Sequence, residues 1–237
     1  MPGPWLVLPT YNERENIEKM VRACLPQLAS VSTEPHILVV DDGSPDGTGE
    51  IADRLAQELP EVEVMHRTAK EGLGRAYLAG FEHALGKGAE YVLEMDSDFS
   101  HDPADLPRLI EAAGDADLVL GSRYVPGGGV TDWGLLRLML SRGGSWYARR
   151  VLGVPIRDLT GGFKCFRAAT LEHIGYRDTH ADGYGFQIEL TYRAIQAGLR
   201  VKEIPIVFRD RQAGTSKMHA RIALEAVWKV PALRFRH

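Results

Sequence analysis

The stretch "EYVLEMDSDFSHDP", residues 90–103, sets a short apolar run, Tyr91, Val92 and Leu93, against a group of carboxylates in which Asp96, Asp98 and Asp102 follow Glu94. The apolar run reads as a short buried strand, and residues two apart in an extended chain point the same way, so Asp96 and Asp98 share a side. Two like charges on one side repel unless something cationic lies between them.

Outward from this stretch the same pattern recurs. "WLVLP" (5–9), "HILVVD" (36–41), "VEVMH" (62–66), "YVLEMD" (91–96) and "ADLVLG" (116–121) read as short buried strands, with amphipathic helical segments between them. In the first such segment Ile17, Met20, Val21, Cys24, Leu25 and Leu28 make one apolar face. The alternation predicts an α/β fold with a mainly parallel central sheet and helices on both faces. Ligands of such sheets bind outside the carboxyl ends of the strands. Three of these strands end in polar sequence there, "PTYNE", "DDGSPDG" and "DSDFS", which a core does not require.

The second half is less regular. A Gly-rich stretch "VPGGGV" (125–130) precedes a basic helical segment "LLRLMLSRGGSWYARRVLG" and then "DLTGGFKCFR" (158–167). A helix through "FQIELTYRAIQAG", two short strands around "RVKEIPIVFRDR" and a terminal helix from about Ser216 follow. With no internal repeat or low-complexity tract, the expected division is one domain over residues 1–215 and a C-terminal extension over residues 216–237.

Bulk composition bounds the class. The 237 residues are 44% hydrophobic and 25% charged, ordinary for a globular chain with a sizeable core. Cys24 and Cys165 are too few for a disulfide scaffold and too far apart for a CxxC motif, which points to a reducing cytoplasmic setting. "MPGPWLVLPTYNERE" lacks the basic lead and long apolar core of a signal peptide. No apolar run reaches the roughly 18 residues of a membrane span. The net charge of -4 hides an asymmetry: residues 1–120 hold 9 basic against 23 acidic residues, and the remainder 19 against 9. Halves of opposite sign suit different partners, or neutralise each other in the fold.

Two motifs carry chemistry. In "DDGSPDG", Asp41 and Asp42 end a strand before a tight turn, where a carboxylate can accept hydrogen bonds from a base or ribose or cap the helix starting near Thr48. In "DSDFS", paired carboxylates suit Mg²⁺ or Mn²⁺, hard cations that take oxygen ligands and share their shell with substrate phosphates. Such an ion bridges a diphosphate and takes up the charge growing on its leaving group. A lone DxD triplet is more often a solvated loop; its place after a buried strand, among other polar strand ends, strengthens the metal reading.

Together, "LPTYNERENI", "VVDDGSPDGT", "GLGRAYLAGF" and "EMDSDFSHDP" resemble family-2 glycosyltransferases of the GT-A (Rossmann-like) fold. "GSRYVPGGGVTDWGLLRLMLSRGGSWYAR", "DLTGGFKCFRAATLE", "GYGFQIELTYRA" and "EIPIVFRDRQAGTSKM" narrow the likeness to dolichol-phosphate mannose synthases and their bacterial polyprenyl-phosphate relatives, over residues from about 6 to 218. The resemblance implies an inverting, metal-dependent enzyme at the cytoplasmic face of a membrane. It would move mannose from GDP-mannose to a polyprenyl phosphate, with glucosyl transfer from UDP-glucose as the alternative. Pro9, Tyr11, Glu13, Asp41 and Ser97 would line the nucleotide-sugar pocket, and Asp96 and Asp98 would hold the metal. Ser100 stands where close relatives often carry a Gln in the metal shell. Arg123 and Arg137 would face the phosphates and the acceptor, Arg211 and Lys217 would close over the diphosphate, and Asp158 and Gln187 would border acceptor or sugar.

The chemistry implied is self-consistent. A phosphate monoester is largely ionised near neutral pH, its second pKa being about 6, so the nucleophile needs cations to reach a diphosphate more than it needs a base. Residues 216–237 carry Arg221, Lys229, Arg234 and Arg236 beside Ile222, Val227, Trp228, Val230 and Leu233; such a basic helix lies in a membrane interface or packs against the protein body. A receiver domain also gathers acids at strand ends, but needs neither the "DSD" pair nor an Arg-rich second half. "GLGRAYLAG" lacks GxGxxG spacing, which argues against a dinucleotide enzyme. Nothing calls for a nucleic-acid partner.

Overall fold

The apolar runs assemble into one seven-stranded sheet, described by a computed structural model over residues 3–179, 183–210 and 230–234. In chain order the elements are β1 (Pro4–Thr10), α1 (Ile17–Ala29), β2 (His36–Asp41), α2 (Thr48–Glu58), β3 (Val62–His66), α3 (Leu73–Gly86), β4 (Tyr91–Glu94), α4 (Leu106–Ala112) and β5 (Leu118–Ser122). There follow β6 (Gly129–Val130), α5 (Leu135–Leu152), β7 (Lys164–Arg167), α6 (Ala168–His173), α7 (Tyr184–Gln196), β8 (Val201–Pro205) and β9 (Val207–Phe208). The sheet order is β3-β2-β1-β4-β7-β5-β8, and every neighbouring pair is parallel except the two made by β7. Strands β6 and β9 pair separately in a small parallel ribbon.

Both faces of the sheet are covered, so its strands read as continuous apolar runs instead of alternating ones. Trp5 and Val7 of β1 join Tyr77 and Phe81 of α3, Ala148 of α5 and Phe186 of α7 in one core. Leu6 and Leu8 point the other way, among Ile17 and Met20 of α1 and Leu106 and Leu109 of α4. Helix α3 approaches β1 so closely that a Cβ on Gly80 would lie 2.4 Å from Val7 Cγ1.

The five strands read from the first half are all present, and the mainly parallel sheet is as expected. One strand of the seven-stranded sheet was not anticipated. "KCFR" inserts as β7 between β4 and β5 and runs antiparallel to both, with Glu94 opposite Lys164 and Val92 opposite Phe166. At four residues, opening on a lysine and lying just after Gly161 and Gly162, it shows none of the long apolar run that marks its neighbours. No helix among the described residues is long and apolar enough to cross a membrane. The division at residue 215 and most of the terminal extension lie outside the described residues. Within the extension, residues 230–234 are helical, with Val230 and Leu233 buried in the α3 and α7 core and Arg234 Nη1 donating to Val151 O at 2.8 Å.

Gly80→Ala is expected to lower stability by about 1–3 kcal/mol in urea unfolding, because Val7 is a stiff branched side chain with nowhere to move. Val7→Ala in the same chain should recover part of that loss. An unchanged unfolding midpoint for Gly80→Ala would show that α3 does not seat on β1 in this way.

Candidate active site

Parallel strands β1, β2 and β4 end on the same edge of the sheet, and their following loops are stitched together there. Asp41, at the end of β2, is buried; its Oδ1 accepts from Ser44 Oγ at 2.5 Å and from Thr10 Oγ1 at 3.3 Å, and its Oδ2 from Ser44 N at 3.1 Å. Asn12 N donates to Ser44 Oγ at 3.0 Å and Glu13 N to Thr48 Oγ1 at 2.9 Å. Asp46 accepts from Thr48 N, Thr48 Oγ1 and Arg14 N, an Asx turn that starts α2 and also holds the first loop. Glu13 is nearly buried, accepts from Asn16 Nδ2 at 2.8 Å, and supplies the carbonyl that begins α1. Tyr11 is half-buried, with Lys70 Nζ 4.1 Å from its ring centroid. Pro9 O accepts from Ser97 Oγ at 2.9 Å, which ties the first loop to the third. Pro9, Tyr11, Glu13, Asp41 and Ser97 therefore converge on one edge.

The third loop carries the paired aspartates. Asp98 is buried and accepts from Ser100 N at 3.0 Å, while Asp96 is half-buried. Phe99, directly after Asp98, takes a left-handed φ of 60°, uncommon for a side chain of its size and the mark of a sharply turned loop. The buried Ser100 Oγ has no hydrogen-bond partner. No group of three or more His, Cys, Asp or Glu that could hold a metal occurs among the described residues. Two carboxylates and an unsatisfied hydroxyl are hard oxygen donors, and this small set fits a Mg²⁺ or Mn²⁺ ion that completes its shell with waters and substrate phosphates.

Beneath this loop lies a buried polar floor. Because β7 runs against its neighbours, its first residue, Lys164, sits at the same edge, and its Nζ donates to Gln187 O at 2.8 Å and to Gln187 Oε1. Glu94, Lys164 and Gln187 are all buried. Burial raises the Glu94 carboxyl against the pull of Lys164, and lowers the Lys164 ammonium against the pull of Glu94. Tyr77 OH is buried beside them, its pKa pushed well up by burial and then by Asp96, Glu94 and Asp98.

Arg123, expected to face the phosphates and the acceptor, is clasped by Asp158. Its Nε and Nη2 donate to the two Asp158 oxygens at 2.7 Å each, its backbone N donates to Oδ2 at 3.0 Å, and Nη2 also reaches Thr160 Oγ1 at 2.9 Å. Asp158 is completely buried and Arg123 nearly so. Burial pushes the Asp158 carboxyl up, yet Arg123 outweighs it and holds the group below the ordinary carboxylate range. Asp158, expected to border the acceptor, meets the guanidinium of Arg123. Glu203 of β8 anchors this corner by accepting from Arg157 N and Asp158 N.

His101 is buried against Phe163 and Phe208, ring centroids 4.9 and 5.1 Å away, and burial holds it below its ordinary pKa despite Asp98. Arg137 on α5 is exposed, stacks over Trp133 at 4.2 Å and donates to Asp210 Oδ1 at 2.8 Å. Arg211 and Lys217 lie outside the described residues. A cleft of about 440 Å³ opens elsewhere, between α1 and the far side of the aspartate loop, where Arg22, Pro26, Phe99, His101 and Arg209 line it; no expected site residue faces it.

The model of the family described as "Glycosyl transferase family 2" matches residues 5–175 of this chain. The chain belongs to that family. A polyprenol monophosphomannose synthase of Mycolicibacterium smegmatis is 50% identical over 95% of this glycosyltransferase and 84% of its own length. An undecaprenyl-phosphate mannosyltransferase of Micrococcus luteus is 47% identical over 94% of the chain and 90% of its own length. Among solved structures, a mannosyltransferase from Pyrobaculum calidifontis, in complex with GDP-Man and Mn²⁺, superposes with a TM-score of 0.68. The superposition spans 100% of this chain and 65% of that one at 21% identity, a likeness of fold. The glycosyltransferase has the expected GT-A architecture.

The sequence assigned no site role to Asp46, Thr48, Glu94, Lys164 and His101 of this glycosyltransferase. The spacing of Asp46 and Thr48 in "SPDGT" is a readable Asx signal, and a lysine inside "GFKCF" is an anomaly in a core strand. Nothing local marks His101 as buried. Asp158→Ala leaves the Arg123 cation buried without its partner and is expected to cost about 3–5 kcal/mol in chemical unfolding. A loss below about 1 kcal/mol, the scale of an exposed pair, would show that the pair is solvated.

Proposed function

We propose that this glycosyltransferase moves mannose, with inversion, from GDP-mannose to the phosphate of a polyprenol. The observation that carries the reading is identity of about one half, across nearly the whole chain, to relatives that bear polyprenol-phosphate mannosyltransferase names. Asp96 and Asp98, with Ser100 near them, would hold a Mg²⁺ or Mn²⁺ ion, which when bound neutralises charge on the departing diphosphate. Pro9, Tyr11, Glu13, Asp41 and Ser97 would bind the nucleotide at the shared strand edge. The buried Arg123–Asp158 pair acts as framework in this reading, holding the end of β5 against the loop before β7. Of the cations expected at the phosphates, Arg137 is exposed and would meet an incoming phosphate, and Arg211 and Lys217 would cover the diphosphate. The nucleophile arrives ionised, so these residues have mainly to guide and orient an anion.

A lipid acceptor asks for a membrane-facing surface, and α5 supports one. Leu135, Leu136, Met139, Leu140 and Trp146 are 63–79% exposed, and their spacing puts them on one side of the helix. Arg142, Arg149 and Arg150 are exposed on the same helix. A large apolar patch bordered by arginines suits the interface of an anionic bilayer. The proposed location is the cytoplasmic face of a membrane, held peripherally, with residues 1–215 as the catalytic domain and residues 216–237 as a basic extension.

Release of GDP from GDP-mannose, dependent on both polyprenyl phosphate and a divalent cation, is the expected result with purified protein. Release that depends on the lipid but comes from UDP-glucose would replace the mannosyl reading. Asp98→Ala is expected to reduce turnover by a factor of about a thousand or more, as loss of a principal electrostatic stabiliser does, and full activity of that variant would refute the metal assignment. Leu136→Gln with Met139→Gln is expected to abolish sedimentation with anionic vesicles while sparing turnover of a short, water-soluble prenyl phosphate. Undiminished sedimentation would place membrane contact elsewhere.

A further inference from the structure

Helix α5 is seated by one end. Its buried residues, Ser145, Ala148 and Leu152, all lie in its second half, and none of residues 135–144 is buried. The first half is held from the side, where Arg137 Nη1 donates to Asp210 Oδ1 at 2.8 Å and Tyr124 OH donates to Ser141 Oγ at 2.6 Å. The first half therefore projects from the protein body while the second half packs on it.

Exposed apolar surface gathers at the projecting end. Among the described residues, the exposed large hydrophobics are Leu135, Leu136, Met139 and Leu140, with Trp146 further along α5 and Val207 on β9, whose Phe208 meets Trp133 just before the helix. At about 100° per residue, Leu136, Met139, Gly143 and Arg150 share the side opposite Ser145, Ala148 and Leu152. Along that side the chemistry changes with length. Leucine and methionine come first, then Gly143 with no side chain, then Arg150, about 21 Å beyond Leu136 at 1.5 Å per residue. Trp146 and the exposed Arg149 border the same side near its basic end.

A helix lying flat on a bilayer would hold Arg150 at the depth of Leu136 and Met139. Tilted with its first half lowered, it gives each group a suitable medium: the acyl boundary for the leucines and Met139, the interface for Trp146, and lipid phosphates for Arg149 and Arg150. We propose that α5 docks on an anionic bilayer in this tilted attitude, with the projecting end deepest and the basic end at the headgroups. The inference rests on the membrane-facing reading of α5 and deepens it by giving that surface a direction. Arg137 stands in the lowered first turn, so the cation expected at the acceptor phosphate comes to the phosphate layer of the leaflet, and the prenyl tail stays among the acyl chains.

Immersion depth along α5 decides it. Cys24 and Cys165 are buried, so a nitroxide label goes to an introduced thiol. Leu136→Cys, Met139→Cys, Trp146→Cys and Arg150→Cys, each labelled, are bound at low salt to vesicles of phosphatidylglycerol and phosphatidylcholine. Depth is read by electron paramagnetic resonance from accessibility to oxygen against a nickel chelate. The label carries no charge to snorkel, so it reports where the backbone holds it. Labels at positions 136 and 139 are expected deepest, the label at 146 shallower, and the label at 150 outside the acyl layer. Equal depth at 136 and 150, or the reverse order, would overturn the tilt and leave the membrane reading standing; immersion at no position would overturn both. Arg149→Gln with Arg150→Gln, in the otherwise native chain, is expected to weaken sedimentation with the same vesicles by about tenfold or more. Undiminished sedimentation of that variant would overturn the placing of the basic end at lipid phosphates.

Discussion

Chain direction is the constraint on which the site depends. Parallel strands end on one edge, so β1, β2 and β4 deliver three separate loops to the same place, where Thr10 meets Asp41, Ser97 meets Pro9 and Asn12 meets Ser44. The reversed strand β7 obeys the same geometry from the other side. It begins where its neighbours end, which sets Gly162 and Lys164 beside the aspartate loop instead of at the far edge. Apolar packing on both faces keeps this arrangement rigid, and the loops need little internal stability because they are bonded to one another.

Charge is distributed in two ways. Some of the opposition between an acidic first half and a basic second half is neutralised in the fold, as where Arg200 meets Asp117 and Arg209 meets Asp102. These are exposed pairs of small energetic weight. A deeply buried hydrogen-bonded ion pair, Arg123 with Asp158, lies wholly within the second half. Its bidentate geometry and additional hydrogen bonds offset a large desolvation cost and fix the end of β5 to the loop before β7. The cations left at the surface of α5 stand beside exposed leucines and a tryptophan, and there the excess positive charge has a direction in which to act.

Much of this was legible in the chain. Buried strands announce themselves as apolar runs, and the polar sequences that end them cannot be core, so the five first-half strands, the parallel sheet and the Asp96–Asp98 pair follow from local pattern. The "DDGSPDG" turn carries its own hydrogen-bond signals. β7 was not legible, because a strand paired on both sides needs no characteristic sequence of its own beyond a few apolar positions. Nor was the orientation of the α5 face: a basic, leucine-rich helix reads alike whether its apolar side is packed or exposed.

What the sequence by itself determined is the fold class, the polar loops at the strand ends and the family, since these depend on residue types at short spacings and on motifs kept in order. Only the tertiary structure decided the partners. Arg123 and Asp158 stand thirty-five residues apart, and Lys164 and Gln187 twenty-three. Whether such a pair becomes a buried contact depends on strand order and direction, which arise from packing the whole sheet. A cation reads the same in the chain whether it is destined for a phosphate, a carboxylate or an amide; burial and distance choose among them.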